Sequence, residues 1–170
     1  MNSSYCNKLK NNKDKKDKIK RDIVYTPIET AKDCIKYTLP FLDKDDILLE
    51  PFSGKDAFYN EFPLENKKEW CEIERGKDFL TSNIDCDWII TNPPYSIFND
   101  FLPKLLECNK GFCLLVNNLT ITPTRLAKIN NGGFYISLIY KMSKYSSSQV
   151  QTQYIDPVAF VPNGRCRFEL

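Results

Sequence analysis

The stretch that most restricts the fold is DWIITNPPYS, residues 87–96. Trp88, Ile89 and Ile90 form an unbroken apolar run, the pattern of a strand buried on both faces. It stops at Asn92, two prolines and Tyr95. Proline has no amide hydrogen and a locked φ, so Pro93 and Pro94 end a hydrogen-bonded ladder. A core strand must therefore finish here and deliver a stiff polar turn to the rim of a sheet.

The rest of the chain alternates in a way that suits such a sheet. Ile28, Ala31, Ile35, Leu39 and Leu42 recur at helical spacing, with Thr26 as N-cap and Pro27 at the first helical position. Residues 45–50 read as a short apolar strand, 57–62 as a brief helix and 68–74 as a second strand. After the 88–91 strand come an amphipathic helix carrying Phe98, Phe101, Leu102, Leu105 and Leu106, a strand over 111–116, a short helix over 123–129 and a strand over 134–140. Residues 146–153, rich in Ser and Gln, read as a loop. Residues 157–161 and 165–168, joined by Pro162, Asn163 and Gly164, read as a hairpin. Strands alternating with helices predict an open α/β sheet.

The chain has 170 residues, enough for one core that buries roughly two-thirds of the unfolded surface. Its net charge of +2 is unevenly placed: residues 8–21 hold eight basic and two acidic residues, leaving sixteen basic against twenty acidic elsewhere. A basic arm over 1–21, disordered when free, and one domain over 22–170 are expected. The arm reads as a solubilising tail or, functionally, as a phosphate contact. Seven cysteines at irregular spacing, no Cys-x-x-Cys pair and no histidine argue against a metal site and against a secreted disulfide framework. Histidine-dependent triads are excluded. No apolar run approaches about 18 residues and no signal h-region opens the chain, so an intracellular, cytoplasmic protein without a membrane anchor is expected.

In open α/β sheets, ligands bind beyond the carboxyl ends of the strands, where the strand order reverses. Residues 50–56, 72–74, 77–80 and 92–95 all place polar or turn-forming groups at such ends. Asn-Pro-Pro-Tyr at 92–95, after an apolar strand and an Asp, resembles the motif of S-adenosylmethionine-dependent amino-methyltransferases, above all the N6-adenine DNA methyltransferases. EPFSGKDAF resembles their cofactor loop, and Tyr25-Thr26-Pro27 the motif that lines the cofactor. The likeness covers roughly residues 22–140, in the order of the family's gamma-type members. WCEIERGKDF followed by DWIITNPPYS is more specifically similar to compact adenine methyltransferases of mobile and viral genomes.

The resemblance implies a Rossmann-like class I methyltransferase fold, a mostly parallel open sheet with helices on both faces. It also implies S-adenosyl-L-methionine as cofactor. Glu50, Pro51, Phe52, Ser53 and Gly54 would form the cofactor loop, Glu72 or Glu74 would accept the ribose hydroxyls, Asp78 would accept from the adenine amine, Phe79 would pack on that ring, and Asn92 would border the cofactor as well as the target amine. Glu50 stands where Asp is more common, and Asp56 where a second glycine is expected. The short link from Glu74 to Asp78 implies that the helix usual between these strands is missing.

The residues support the same chemistry on their own. The lone pair of an exocyclic amine is delocalised into its ring, so the nitrogen is a poor nucleophile. Hydrogen bonds from its protons to fixed acceptors, the Asn92 oxygen and the Pro93 carbonyl, would favour the pyramidal form. Tyr95 can stack on the base, worth about 1–3 kcal/mol. The expected substrate is DNA adenine, with RNA adenine next and a protein glutamine amide third; a catalytically inactive nucleic-acid-binding subunit is the alternative from another class. The family's usual target-recognition domain has no expected counterpart, so specificity would come from a second copy, a different subunit or short loops such as 143–153, or be absent.

Overall fold

A computed structural model describes residues 25–108, 110–117, 119–139 and 155–162. Ordered along the chain, the elements are helix α1 (Ile28–Thr38), strands β1 (Ile47–Glu50), β2 (Lys67–Trp70) and β3 (Trp88–Thr91), helix α2 (Phe98–Leu105), strand β4 (Gly111–Asn117), helix α3 (Pro123–Asn131), and strands β5 (Phe134–Ile139) and β6 (Ile155–Pro162). The sheet order is β2-β1-β3-β4-β6-β5. The first four strands are parallel, while β6 lies between β4 and β5 and is antiparallel to both.

Burial explains why the middle strands are so apolar. Leu48 and Leu49 of β1 are both at 0% exposure but enter different clusters on opposite faces of the sheet. Trp88 and Ile90 join Leu48, packed under Ala31, Cys34 and Ile35 of α1. Ile89 joins Leu49 on the other face, under Phe98, Phe101, Leu102 and Leu105 of α2 and Ile129 of α3. Each large side chain so buried contributes about 1.5–3 kcal/mol. Helices therefore cover both faces, as expected. The five described cysteines, at 34, 71, 86, 108 and 113, are free and buried, and burial pushes the Cys113 thiol up to about 11, so it behaves as a small apolar group.

Several expectations are corrected. Helix α1 starts one residue later than its caps suggested: Pro27 is the N-cap, extended at φ −61° and ψ 145°, and Thr26 lies outside the helix. The segment 57–62 yields only a 3-10 turn, Tyr59–Glu61. Strand β2 ends at Trp70, and the chain turns through a 3-10 segment, Ile73–Arg75, instead of running on to Glu74. Residues 77–80 are no strand end; the single antiparallel bridge Glu72–Lys77 is all the pairing found there. Only these turns join β2 to β3, in agreement with the missing helix. The first arm of the hairpin expected over 157–168 lies in β6, which pairs with β4 on one side and β5 on the other. The hairpin's second arm, the basic arm at 1–21 and the loop at 146–153 lie outside the described residues.

No described helix is long and apolar enough to cross a membrane. Strand β1 pairs with β2 on one side and β3 on the other. The strand order reverses there, which makes the carboxyl ends of β1 and β3 the crevice where an open sheet binds ligands.

Candidate active site

The loop after β1 is built from charge and turns. Glu50 is buried, and its carboxylate faces back into the fold, accepting the amides of Tyr59 at 2.7 Å and Phe58 at 3.4 Å. Burial outweighs those bonds and pushes its pKa up to about 8. Glu50 thus holds the turn that follows the loop. Pro51 is buried, and Phe52 packs on Phe79 and Phe101 at 5.6 and 5.1 Å between ring centroids. The buried Ser53 extends the pairing with β2, its amide donating to the Cys71 carbonyl at 3.0 Å.

Gly54 is exposed at φ +50°, a left-handed conformation that glycine adopts without cost. Its amide donates to Glu72 Oε2 at 2.7 Å. The ring of Tyr25 covers it, 3.7 Å from where a Cβ would stand, and Lys55 Nζ lies 4.1 Å from the centroid of that ring. Asp56 takes φ +62°, the left-handed conformation that the expected second glycine would have supplied. Aspartate tolerates it better than most residues.

The 72–75 turn clasps this loop. The extended Glu72 also accepts the Glu74 amide at 3.1 Å, while the Glu74 side chain is exposed. The two acids therefore do not share a strand face, and of the pair only Glu72 meets the glycine loop. Asp78 closes its own turn, its carboxylate accepting the Leu80 amide at 3.0 Å and its carbonyl the Ser82 hydroxyl at 2.7 Å. Phe79 is 3% exposed, edge-on to Phe52 with Lys104 Nζ 5.0 Å from its ring centroid, so it walls the core beside the loop.

At the end of β3 the turn is stiff and packed. Pro93 and Pro94 are buried and a 3-10 turn, Tyr95–Ile97, follows at once. Asn92 Nδ2 donates to Thr26 Oγ1 at 3.2 Å across 66 residues of sequence. That bond turns the amide oxygen away from Thr26. The Tyr95 hydroxyl lies 3.4 Å from Asn92 Oδ1 and 3.2 Å from the Leu115 carbonyl of β4, so it ties the turn to the next strand. Tyr95 is half-buried against the α2 side of the core.

The 25–27 segment thus joins the two loops: Tyr25 lies on Gly54, and Thr26 holds Asn92. Sequence reasoning placed Thr26 at the site but gave it the wrong local partner, a helix N-terminus. It missed Arg75, whose guanidinium reaches Asp56 and Ser53. The one signal was a basic residue next to the acids of the 72–74 stretch. Among the described residues no group of three or more His, Cys, Asp or Glu is placed to hold a metal ion.

Sheet order, parallel half and twin helical layers together make this a Rossmann-like α/β fold of the class I methyltransferase type. No family model matches the sequence. The chain is 33% identical over 82 residues to the Type II methyltransferase M.EcoRI of Escherichia coli, a match covering 41% of this chain and 25% of that protein. It thus spans about a quarter of that relative's length. Among solved structures it resembles PH1948 from Pyrococcus horikoshii, a candidate RNA methyltransferase, with a TM-score of 0.62 and 16% identity over 81% of this chain and 85% of the other. Trm5 of Methanocaldococcus jannaschii, solved with adenosine, gives 0.59 and 13% over 84% and 51%. Magnesium protoporphyrin IX methyltransferase of Synechocystis, solved with bound SAM, gives 0.51 and 10% over 77% and 78%.

Proposed function

We propose that this chain is an S-adenosylmethionine-dependent methyltransferase acting on the exocyclic N6 amine of adenine in DNA. The observation that carries the reading is the meeting of three distant segments at one crevice: Thr26 on Asn92, Tyr25 on Gly54, and Glu72 on the Gly54 amide. The stretch shared with M.EcoRI supports methyl transfer, and the asparagine and tyrosine flanking the prolines support adenine as the base.

The residues fit the cofactor. The Gly54 amide already holds a carboxylate, that of Glu72, at 2.7 Å, so its donor is aimed as a ligand carboxylate requires. The Gly54 amide would exchange the Glu72 carboxylate for the amino-acid end of the ligand, with Ser53 beside it, and the released Glu72 would take the ribose hydroxyls; Asp78 would accept from the adenine amine, with Tyr25 covering the loop. When bound, S-adenosylmethionine supplies a methyl group already activated by its sulfonium, which is why no histidine base is needed. Asn92 Oδ1 and the Pro93 carbonyl accept the protons of the target amine and hold its lone pair towards the donor. Because the prolines lock φ and Thr26 orients the amide, those acceptors require little reorganisation. Tyr95 offers a ring beside them for a base swung out of its stack.

Asp56 in the glycine loop is the feature that favours the competing reading of a non-catalytic, nucleic-acid-binding subunit. Incubation with labelled cofactor and a panel of duplex DNA, single-stranded DNA, RNA and protein acceptors, followed by nucleoside analysis, separates these readings. Label in N6-methyladenine of DNA supports the proposal. Label in RNA only would move the substrate, and a folded protein that takes up no S-adenosylmethionine by calorimetry would favour the inactive subunit.

A further inference from the structure

The 72–75 turn contributes one basic residue, Arg75, that the mechanism does not use. Arg75 lays its guanidinium over the Trp70 ring, 4.1 Å from the centroid, and reaches the β1 loop nineteen residues back. Nη1 donates to Asp56 Oδ2 at 3.1 Å, and Nη2 donates to Asp56 Oδ1 at 2.5 Å and to Ser53 Oγ. A guanidinium carries five N–H donors, and these three bonds leave two for another acceptor. Both side chains of the ion pair are partly exposed, at 38% and 30%, so the pair lies at the loop's surface and not within the core.

This pair answers a difficulty set by the loop itself. Asp56 holds the left-handed conformation of a glycine at φ +62° and adds a negative charge two residues from the Gly54 amide. A carboxylate approaching that amide would be repelled by Asp56 if the charge stood alone. Arg75 offsets it through a two-pronged fork, and the Trp70 face keeps the guanidinium plane in place.

We propose that Arg75 binds the carboxylate end of S-adenosylmethionine, with Asp56 as its positioning residue. On this account the Asp56–Arg75 pair does by charge what a second glycine does by close approach. The proposal rests on the S-adenosylmethionine reading and names the part of that ligand which Arg75 recognises.

The test is calorimetry of the full chain with two probes, S-adenosylmethionine and its decarboxylated analogue, for wild type, Arg75→Ala, Arg75→Lys and the double variant Asp56→Gly with Arg75→Ala. Arg75→Ala should weaken S-adenosylmethionine about tenfold or more and change the decarboxylated probe less than about twofold, the scale of a lost charge-assisted contact. Arg75→Lys should fall between, since it keeps the charge and loses the fork. The double variant should recover part of the loss, because the repelling carboxylate leaves with its partner. Equal weakening of both probes would overturn the proposal by making Arg75 a mere loop brace, and so would unchanged affinity for S-adenosylmethionine. Should Arg75→Ala not fold, by circular dichroism, Arg75→Lys against the two probes makes the same comparison. A folded wild type that binds neither probe would instead sink the S-adenosylmethionine reading, and this one with it.

Discussion

Two loops leave adjacent strands and meet at one crevice, yet they are held by different means. The β3 turn is stiff by covalent structure: two buried prolines fix its path, and Tyr95 pins it to the Leu115 carbonyl. The β1 loop has left-handed residues at Gly54 and Asp56 and is kept in shape by ionic and polar clasps from Glu50, Glu72 and Arg75. A group that must hold acceptors still during a reaction gains from the first construction. A loop that must admit and release a charged ligand gains from the second, whose bonds can be exchanged for bonds to that ligand. The comparison teaches that neighbouring parts of one site can be separately adjustable, one for turnover and one for affinity.

Substitutions can break that division. The largest effect should come from Asn92→Ala, which removes an acceptor from the stiff turn: single-turnover methyl transfer should fall about 10²–10³-fold. Cofactor affinity measured by calorimetry should stay within about twofold of wild type. Weakened affinity with intact turnover would erase the distinction. Glu72→Ala should do the reverse, lowering cofactor affinity about tenfold while transfer at saturating cofactor changes little. Thr26→Val keeps the shape but loses the oxygen that accepts from Asn92; turnover should drop about fivefold, the scale of one neutral hydrogen bond. An equal drop on Thr26→Ser, which retains the hydroxyl, would show that this bond does not act.

The last effect is on stability and not on turnover; it concerns Glu50 and sharpens the picture of the β1 clasp. Its pKa rises from an ordinary 4.5 to about 8 through burial, so between those values the folded chain holds a proton that the unfolded chain has released. The stability from that proton is fully present below about pH 4.5 and is lost as pH rises through about 8. Glu50→Gln still offers an oxygen to the Tyr59 amide but cannot ionise. Its melting temperature should therefore fall less than that of wild type between about pH 5 and pH 8. Parallel curves would place the Glu50 proton elsewhere.

Much of this architecture was legible in the chain. Strand β3 and its proline end, the amphipathic α2 and the buried β4 carry strong periodic or punctuating signals, and these survive any packing. The errors fell where local pattern competes with partners distant in sequence. Residues 68–74 alternate like a strand, but after Trp70 the outer side of β2 has only the Glu72–Lys77 bridge, so the chain can turn at Ile73. Residues 157–161 read as one arm of a local hairpin, while the partners the structure gives β6 are the earlier strands β4 and β5. Thr26 is a good N-cap by residue type, and it was drawn away by Asn92, 66 positions along.

By itself the sequence determined which chemical groups exist and which segments are stiff, because proline geometry, apolar runs and the lack of histidine are properties of the chain at any distance. Only the tertiary structure decided that Glu72 rather than Glu74 faces the glycine loop, that Asp56 is answered by Arg75, and that Thr26 turns the Asn92 amide. Those are contacts between residues separated by eighteen to sixty-six positions. Such a contact depends on where the strands bring two segments, and no local propensity encodes it.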